Sequence, residues 1–218
     1  MRKETFENGE YYHIYNRGVD KRIITLDKFD SDRFIQGLIA FNTQDGIGSI
    51  RDIELQRERG TLTIEKEDPL VKIIAYCLNP NHFHLILKQL KANGISLFLH
   101  SEAGGYAKYF NRRHCRTGAL FEGKFKSKWI EDVEELKYKS VYVNLNNRVH
   151  KLADSSNAVV RSSWNEFKAG VGKICKQEDV LKAFNSIDDY IDYAESTLLE
   201  IIEDKRLDKE LKQIEFED

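Results

Sequence analysis

Residues 79–87 of the chain read Asn-Pro-Asn-His-Phe-His-Leu-Ile-Leu, a turn sequence followed by residues that favour β-strands. Side chains alternate between the two faces of a strand, so His82 and His84 point to one face and Phe83 to the other. Two imidazoles on one face, opposite an apolar residue that faces the core, can hold a divalent metal. Two solvated histidines beside a turn are the alternative, and the pair alone does not decide between the two.

The neighbouring segments predict the rest of the fold. Residues 71–78 read as a buried strand that pairs with the histidine strand in an antiparallel hairpin. We also expect a strand at 11–16, helices at 29–41, 95–113 and 132–146, a strand or extended arm at 120–130, and C-terminal helices over roughly 178–213. Leu62 and Ile64 suggest a short hairpin arm within residues 45–70. This order predicts an α+β fold with helices on one face of an antiparallel sheet.

Polar side chains mark where two of these helices begin. Asp30, Ser31 and Asp32 are each able to cap the first helix, because their side-chain oxygens accept from free backbone N–H groups. Asp132 and Glu135 have the spacing of a capping box, so we expect the third helix to begin there.

Charge is distributed unevenly along the 218 residues. The net charge of the chain is −2, yet residues 177–218 contain 14 acidic and 5 basic side chains, a net of −9. Residues 1–176 therefore carry +7. The net charge of the whole chain therefore conceals a basic part, residues 1–176, which suits an anionic partner. Residues 177–218 form an acidic tail, and a solvated helix is a sufficient explanation for it.

The sequence also bears on the cellular location. No apolar run approaches the roughly 20 residues needed to span a bilayer, and residues 1–7 lack the apolar segment of a signal peptide. The cysteines, Cys77, Cys115 and Cys175, are odd in number and too far apart for a disulfide framework or a zinc ribbon. We therefore expect a cytoplasmic protein with no membrane partner.

The helix predicted at 132–146 carries a candidate nucleophile. Tyr138, Tyr142 and Asn146 are spaced four residues apart and share one helix face. A phenol has a pKa of about 10, so it attacks well only when a base or a nearby cation helps it to lose its proton. A metal held by the two histidines would supply part of that help and would polarise a phosphoryl oxygen. Most tyrosine–asparagine pairs at this spacing are ordinary surface residues.

Residues 108–128 combine basic and aromatic side chains. Seven Lys or Arg residues stand there against one acidic residue, Glu122. This mixture suits single-stranded nucleic acid, with cations on phosphates and rings stacked on bases. A solvated helix face whose aromatic residues belong to the core is the alternative. The candidate DNA-binding residues are Lys108, Arg112, Arg113, Arg116, Lys124, Lys126 and Lys128. Among them we expect Arg112 and Arg113 to be the most exposed.

Five blocks follow one another in the chain: Tyr-His-Ile-Tyr-Asn-Arg-Gly, Asn-Pro-Asn-His-Phe-His-Leu-Ile-Leu, Tyr-Phe-Asn-Arg-Arg-His, Gly-Lys-Phe-Lys-Ser and Tyr-Val-Asn-Leu-Asn. In this order they resemble the single-tyrosine transposases of the HUH superfamily, most closely the REP-associated tyrosine transposases. The resemblance covers about residues 9–165. The chain departs from the family at Asn147, where proline is usual, and beyond about residue 177, where the catalytic core has no counterpart.

The resemblance implies a ferredoxin-like (RRM-like) domain with a metal-dependent nuclease and strand-transferase site for single-stranded DNA. His82 and His84 match the metal-binding histidines, and Asn146 falls at the position of the third metal ligand. Tyr142 matches the nucleophile, which forms a 5′-phosphotyrosine and frees a 3′-OH. The resemblance implies Mg²⁺ or Mn²⁺ as the metal, and a ligand set with two imidazoles is less purely oxygen-based than Mg²⁺ prefers, which suits Mn²⁺. The implied partner is single-stranded DNA with a hairpin structure, and the implied location is the nucleoid.

We expect the catalytic domain to cover residues 1–150, with the inserted arm at about 45–70, followed by a polar linker and an acidic helical extension at 151–218. Two other functions stay open. One is a domesticated DNA-hairpin-binding protein without turnover. The other is a zinc-stabilised RNA-binding module, which would need a closed site of four ligands. A monomer and a homodimer with shared active sites are both compatible with the sequence.

Overall fold

The computed structural model describes residues 5–44, 50, 55, 58, 68–152 and 160–214, with side chains up to residue 207. The hairpin arm predicted around Leu62 and Ile64 lies outside the described residues. Within the described ranges, no helix is both long enough and apolar enough to cross a membrane.

Within the described residues, five strands form one antiparallel sheet. They are β1 (Tyr11–Arg17), β2 (Val71–Leu78), β3 (His82–Gln89), β4 (Lys126–Ile130) and β5 (Arg161–Ser162). Their order in the sheet is β4-β1-β3-β2-β5. The first four strands thus have the 4-1-3-2 arrangement that a β-α-β-β-α-β chain adopts in a ferredoxin-like sheet. The predicted α+β class is confirmed.

The helices are α1 (Lys28–Ala40), α2 (Gly94–Arg113), α3 (Val133–Asn144), α4 (Asn146–Val149), α5 (Trp164–Ala169), α6 (Glu178–Leu181) and α7 (Ile187–Ile214), with a 3₁₀ turn at Val19–Lys21. The single helix predicted at 132–146 is wrong, because the chain leaves helical geometry at Leu145 (φ −108°, ψ 17°). Asn144 bonds to Tyr190 of α7, whereas Asn146 bonds to Asn79 beside β3. The two side chains are tied to different parts of the fold, and the backbone turns between them.

One predicted helix start is confirmed and another is wrong. Asp132 accepts from the backbone N–H of Glu135 at 2.8 Å and caps α3 as expected. The cap of α1 is Asp27, which accepts from the N–H of Asp30 at 3.1 Å. The three residues predicted to cap α1 lie inside its first turns. Asp30 is fully buried there and binds Arg113 instead.

The first face of the sheet packs against α1 and α2. Ile14, Phe83 and Leu85 of the strands meet Phe34 and Phe98 of the helices, and all five are buried. Each such side chain stabilises the fold by roughly 1.5–3 kcal/mol relative to an exposed position. Because Phe83 belongs to this core, the histidines on either side of it point to the opposite face, as predicted.

The second face is covered as well, mainly by α3, α5 and α7. Ile74 and Ile86 of the strands pack there with Val141, Phe167 and Tyr190. The prediction placed the helices on one face, whereas α3 and helices from residues beyond 160 cover the other face as well. Apolar contacts on both faces explain why β2 and β3 are almost continuously apolar in sequence.

Candidate active site

The candidate site lies on the second face of the sheet, at the end of β3 that begins with His82. Pairing of the strands places His82 opposite Arg17 and His84 opposite Tyr15, which in turn lies opposite Lys126. These five side chains line a cavity of about 390 Å³. The strand geometry therefore brings the His-x-His pair to an open edge of the second helix layer.

Three asparagines hold His82 in place. The Nδ1 of His82 donates to Asn81 Oδ1 at 2.6 Å. Its Nε2 accepts from Asn79 Nδ2 at 2.9 Å, and the same amino group donates to Asn146 Oδ1 at 2.8 Å. The Oδ1 of Asn79 accepts from the thiol of Cys77 at 3.7 Å, which favours the amide orientation that aims Nδ2 at the site.

The Nε2 of His82 and the Oδ1 of Asn146 lie only 3.0 Å apart. In the tautomer that donates from Nδ1 to Asn81 Oδ1, Nε2 carries a lone pair. An imidazole nitrogen and an amide oxygen are both ligands that a divalent metal accepts. Burial lowers the pKa of His82, which favours the neutral ring that a metal requires. The two atoms therefore fit adjacent positions around a divalent metal.

Asn146 and the histidines are the residues available to bind a metal at this site. Asn146 is fully buried, and its Nδ2 has no hydrogen-bond partner among the described residues. An unsatisfied buried group of this kind costs about 1–3 kcal/mol. In the described part of the chain, no three His, Cys, Asp or Glu residues come together to hold a metal. A metal here would depend on the amide oxygen of Asn146 together with His82 and His84.

His84 is buried against another histidine, His13 of β1. The Nε2 of His13 and the Nδ1 of His84 are 2.9 Å apart, and the two rings stack with centroids 5.1 Å apart. Burial, assisted by Lys139 and Lys128, lowers the pKa of His13 to about 3. Burial also holds the pKa of His84 well below its usual value, and His13 adds to that effect. Both rings are therefore neutral at pH 7.

Tyr142 reaches this site from α3. Its ring meets those of His84 and His13 edge-on, with centroids 5.5 and 5.8 Å apart. The Nζ of Lys205, on α7, donates to the hydroxyl of Tyr142 at 3.3 Å and lies 4.9 Å from the ring centroid. The same Nζ is 3.3 Å from the Nε2 of His150. The phenol of Tyr142 thus has the imidazoles of His84 and His13 and the ammonium group of Lys205 as neighbours.

Tyr138, one turn earlier on the same helix, does not join the site. Like Tyr142, it packs against the second-face core, but none of the described ring contacts joins it to a site histidine. Burial raises the pKa of Tyr138, and the carboxylate of Asp204 raises it further. Tyr142, whose ring contacts those of His84 and His13, is the better candidate of the two.

Cations surround the mouth of the cavity. Arg17, Lys21 and Lys126 line it, and Arg17 forms an ion pair with Glu122, which also lines it. Asp20 and Lys21 have positive φ angles of 55° and 57°. Such a conformation is strained for residues with side chains and is often found at functional sites. The rim has the positive charge that a phosphate backbone would need.

The basic block at 108–128 does not form one surface. Lys126 lines the site cavity, whereas Lys124 lines another cavity, of about 610 Å³, beside α2. Lys108 and Arg112 lie on the exposed side of α2. Lys126 therefore faces a different part of the molecular surface from Lys108 and Arg112.

The other three basic residues of the block bind protein groups. Arg113 donates to Asp27 at 2.7 Å and to the buried Asp30 at 2.6 Å, and its side chain is only 30% exposed. Arg116 donates to a nearby asparagine at 3.0 Å, and Lys128 donates to a glutamate of α3 at 3.0 Å. Much of this charge supports the fold.

Several neighbours of the site were missed in the sequence. They are His13, Asn79, Asn81, His150 and Lys205. The signal for His13 was present, because it lies on a predicted strand in alternation with Tyr15. Lys205 gave no signal, since 63 residues separate it from Tyr142.

Comparison with solved structures gives a distant match. No family model matches the chain, and no curated protein matches it. A solved structure of a REP-associated tyrosine transposase bound to a REP hairpin is similar to this chain, with 16% sequence identity and a TM-score of 0.48. The match covers 83% of this chain and 92% of that protein.

Proposed function

We propose that this protein cleaves and rejoins single-stranded DNA with Tyr142 as the nucleophile and a divalent metal bound by His82, His84 and Asn146. One observation carries the proposal: His82 Nε2 and Asn146 Oδ1 converge at 3.0 Å in the site that Tyr142 adjoins. Asn79 Nδ2 donates to both atoms, and a divalent metal would take the place of this donor.

The family resemblance implies the reaction of Tyr142. Its hydroxyl would lose its proton to water, its oxygen would form a bond to phosphorus, the bond from phosphorus to the 3′ oxygen would break, and that oxygen would leave as a 3′-OH after taking up a proton. The 5′ end would stay on the tyrosine as a phosphotyrosine. Lys205 is placed to stabilise the phenolate, since its Nζ already contacts the hydroxyl. Mg²⁺ or Mn²⁺, when bound, would polarise the phosphoryl oxygen and offset its charge.

The rim of the cavity suggests how DNA would be held. Arg17, Lys21 and Lys126 surround the opening beside the histidines. Their charges are able to neutralise phosphates on either side of the reacting one, a contribution that does not depend on base sequence. We propose a single strand next to a DNA hairpin as the partner, as the family resemblance implies.

A DNA-hairpin-binding protein without turnover is the second candidate, and one contact favours it. The amino group of Asn79 donates to both would-be metal ligands, so the protein satisfies them by itself. A metal would have to displace this amino group from the two atoms. The zinc-stabilised RNA-binding module gains no comparable support, since it would need a closed set of four ligands.

The deciding experiment is incubation of the protein with labelled single-stranded DNA that carries a hairpin, in the presence of Mn²⁺, followed by denaturing electrophoresis. We expect a covalent adduct that disappears in Tyr142→Phe and after addition of EDTA. Tyr138→Phe is the matched control, because it removes a hydroxyl from the same helix outside the site. Tight binding without any adduct from a library of hairpins would favour the non-catalytic binder.

A further inference from the structure

We propose that His13 is a positioning residue for His84: it accepts the hydrogen of His84 Nδ1 and thereby keeps His84 Nε2 free to bind a metal. The proposal rests on the metal site of the proposed function and adds a residue to it. The contact that carries it is the distance of 2.9 Å between His13 Nε2 and His84 Nδ1.

That distance limits the arrangement of hydrogens. Two N–H groups cannot face each other at hydrogen-bond distance, and two lone pairs would repel, so one ring donates and the other accepts. If His13 donates, the hydrogen of the neutral His84 ring is on Nε2 and that atom cannot bind a metal. If His13 accepts, the hydrogen is on Nδ1 and Nε2 carries a lone pair. Only the second arrangement makes His84 a ligand.

The other site histidine shows the same arrangement. His82 donates from Nδ1 to Asn81 Oδ1 at 2.6 Å, which leaves its Nε2 as an acceptor. Both histidines therefore have Nδ1 engaged by a neighbouring side chain, while both rings line one cavity. Histidines that bind metals commonly donate their second ring nitrogen in this way, which selects the tautomer and orients the ring.

The surroundings of His13 hold it in position for this role. It is only 6% exposed, and its ring stacks on those of Tyr15 and His84, with centroids 5.2 and 5.1 Å away. Register pairs His13 with Ile86, so it reaches His84 diagonally across two strands. A residue needed only for packing would not require a nitrogen at this distance from His84.

The test compares His13→Phe, which keeps a ring but removes the acceptor, with His13→Gln, which offers an amide oxygen. His100→Phe is the matched control, since His100 is exposed on α2. Binding of Mn²⁺ without DNA would be followed by electron paramagnetic resonance, and the His84 tautomer by long-range ¹⁵N–¹H NMR. Thermal unfolding would check that each variant folds.

We expect the wild type to carry hydrogen on His84 Nδ1. His13→Phe should weaken Mn²⁺ binding roughly tenfold or more, and His13→Gln should recover most of the loss. A wild-type hydrogen on Nε2, or unchanged Mn²⁺ affinity in His13→Phe, would overturn the proposal, as would a wild type that binds no Mn²⁺. Mn²⁺ binding with the expected tautomer but no Tyr142 adduct would contradict the proposed catalysis alone.

Discussion

The Nζ of Lys205 donates to the hydroxyl of Tyr142 at 3.3 Å, so the last helix of the chain contacts the proposed nucleophile. The contact comes from one of the few basic residues of α7, which lies in the most acidic part of the sequence. A cation at this distance offsets negative charge that develops on the oxygen as it attacks phosphorus. The acidic extension therefore supplies a positive group where the proposed reaction needs one.

Replacing Lys205 with methionine should slow formation of the covalent adduct about ten- to hundredfold. A hydrogen bond to a charged group is worth about 1.5–3 kcal/mol, and each 1.4 kcal/mol changes a rate about tenfold. The measurement is the single-turnover rate at saturating DNA. Arg206→Met is the control, since it makes the same change in charge one residue away, where Arg206 pairs with Glu203. Equal rates for both variants would show that Lys205 has no part in the reaction.

The contrast between His84 and Lys205 shows which parts of the site were predictable. The hairpin that contains His84 was predictable because its residues alternate with a period of two and are bounded by turn residues. Such a pattern involves only residues that are close in sequence. The contact of Lys205 with Tyr142 depends on how α7 packs against α3. No residue spacing in the sequence predicts that packing. The break at Leu145 was missed for the same reason, because it comes from long-range bonds of Asn144 and Asn146.

Arg113→Met should destabilise the fold more than Arg112→Met. Arg113 donates to the fully buried Asp30, and its loss would leave that carboxylate with weaker partners, mainly His114. Breaking a buried ion pair costs roughly 3–5 kcal/mol, and the remaining partner should reduce this to about 2 kcal/mol. Urea unfolding would measure the difference. Arg112 makes no ion pair with any residue that the structure describes, so its replacement should change stability by less than about 0.5 kcal/mol.

The same ion pairs imply a pH dependence of stability. The side-chain bond from Arg113 holds the pKa of Asp27 at about 2, below its usual value of 3.8. A carboxylate with a lowered pKa in the folded state contributes stability above pH 4, and this contribution is lost as the pH falls towards 2. Unfolding midpoints measured between pH 5 and pH 2 should therefore fall less steeply in Arg113→Met than in the wild type. Parallel curves would contradict this assignment.

Lys126→Ala should weaken DNA binding more than Lys128→Ala. Lys126 lines the cavity next to the histidines, whereas Lys128 already donates to Glu135 at 3.0 Å. Loss of one phosphate contact should reduce the slope of log K against log salt by about 0.7 for a single strand. Titrations at several salt concentrations would give both slopes. A larger change in the Lys128 variant would place the DNA along β4, away from the cavity.

Tyr190→Ala should cost roughly 3–5 kcal/mol of unfolding free energy, as expected for the loss of a large buried aromatic side chain. Tyr190 is fully buried, and its hydroxyl contacts Ser140 and accepts from Asn144, both on α3. The matched control is Leu199→Ala on the exposed side of α7, where the side chain is 69% exposed and the cost should be small. Denaturant unfolding of both variants would decide. Because α7 also positions Lys205, a Tyr190 variant that loosens α7 should slow adduct formation as well. Equal stability of the two variants would mean that the second helix layer is not part of the cooperative fold.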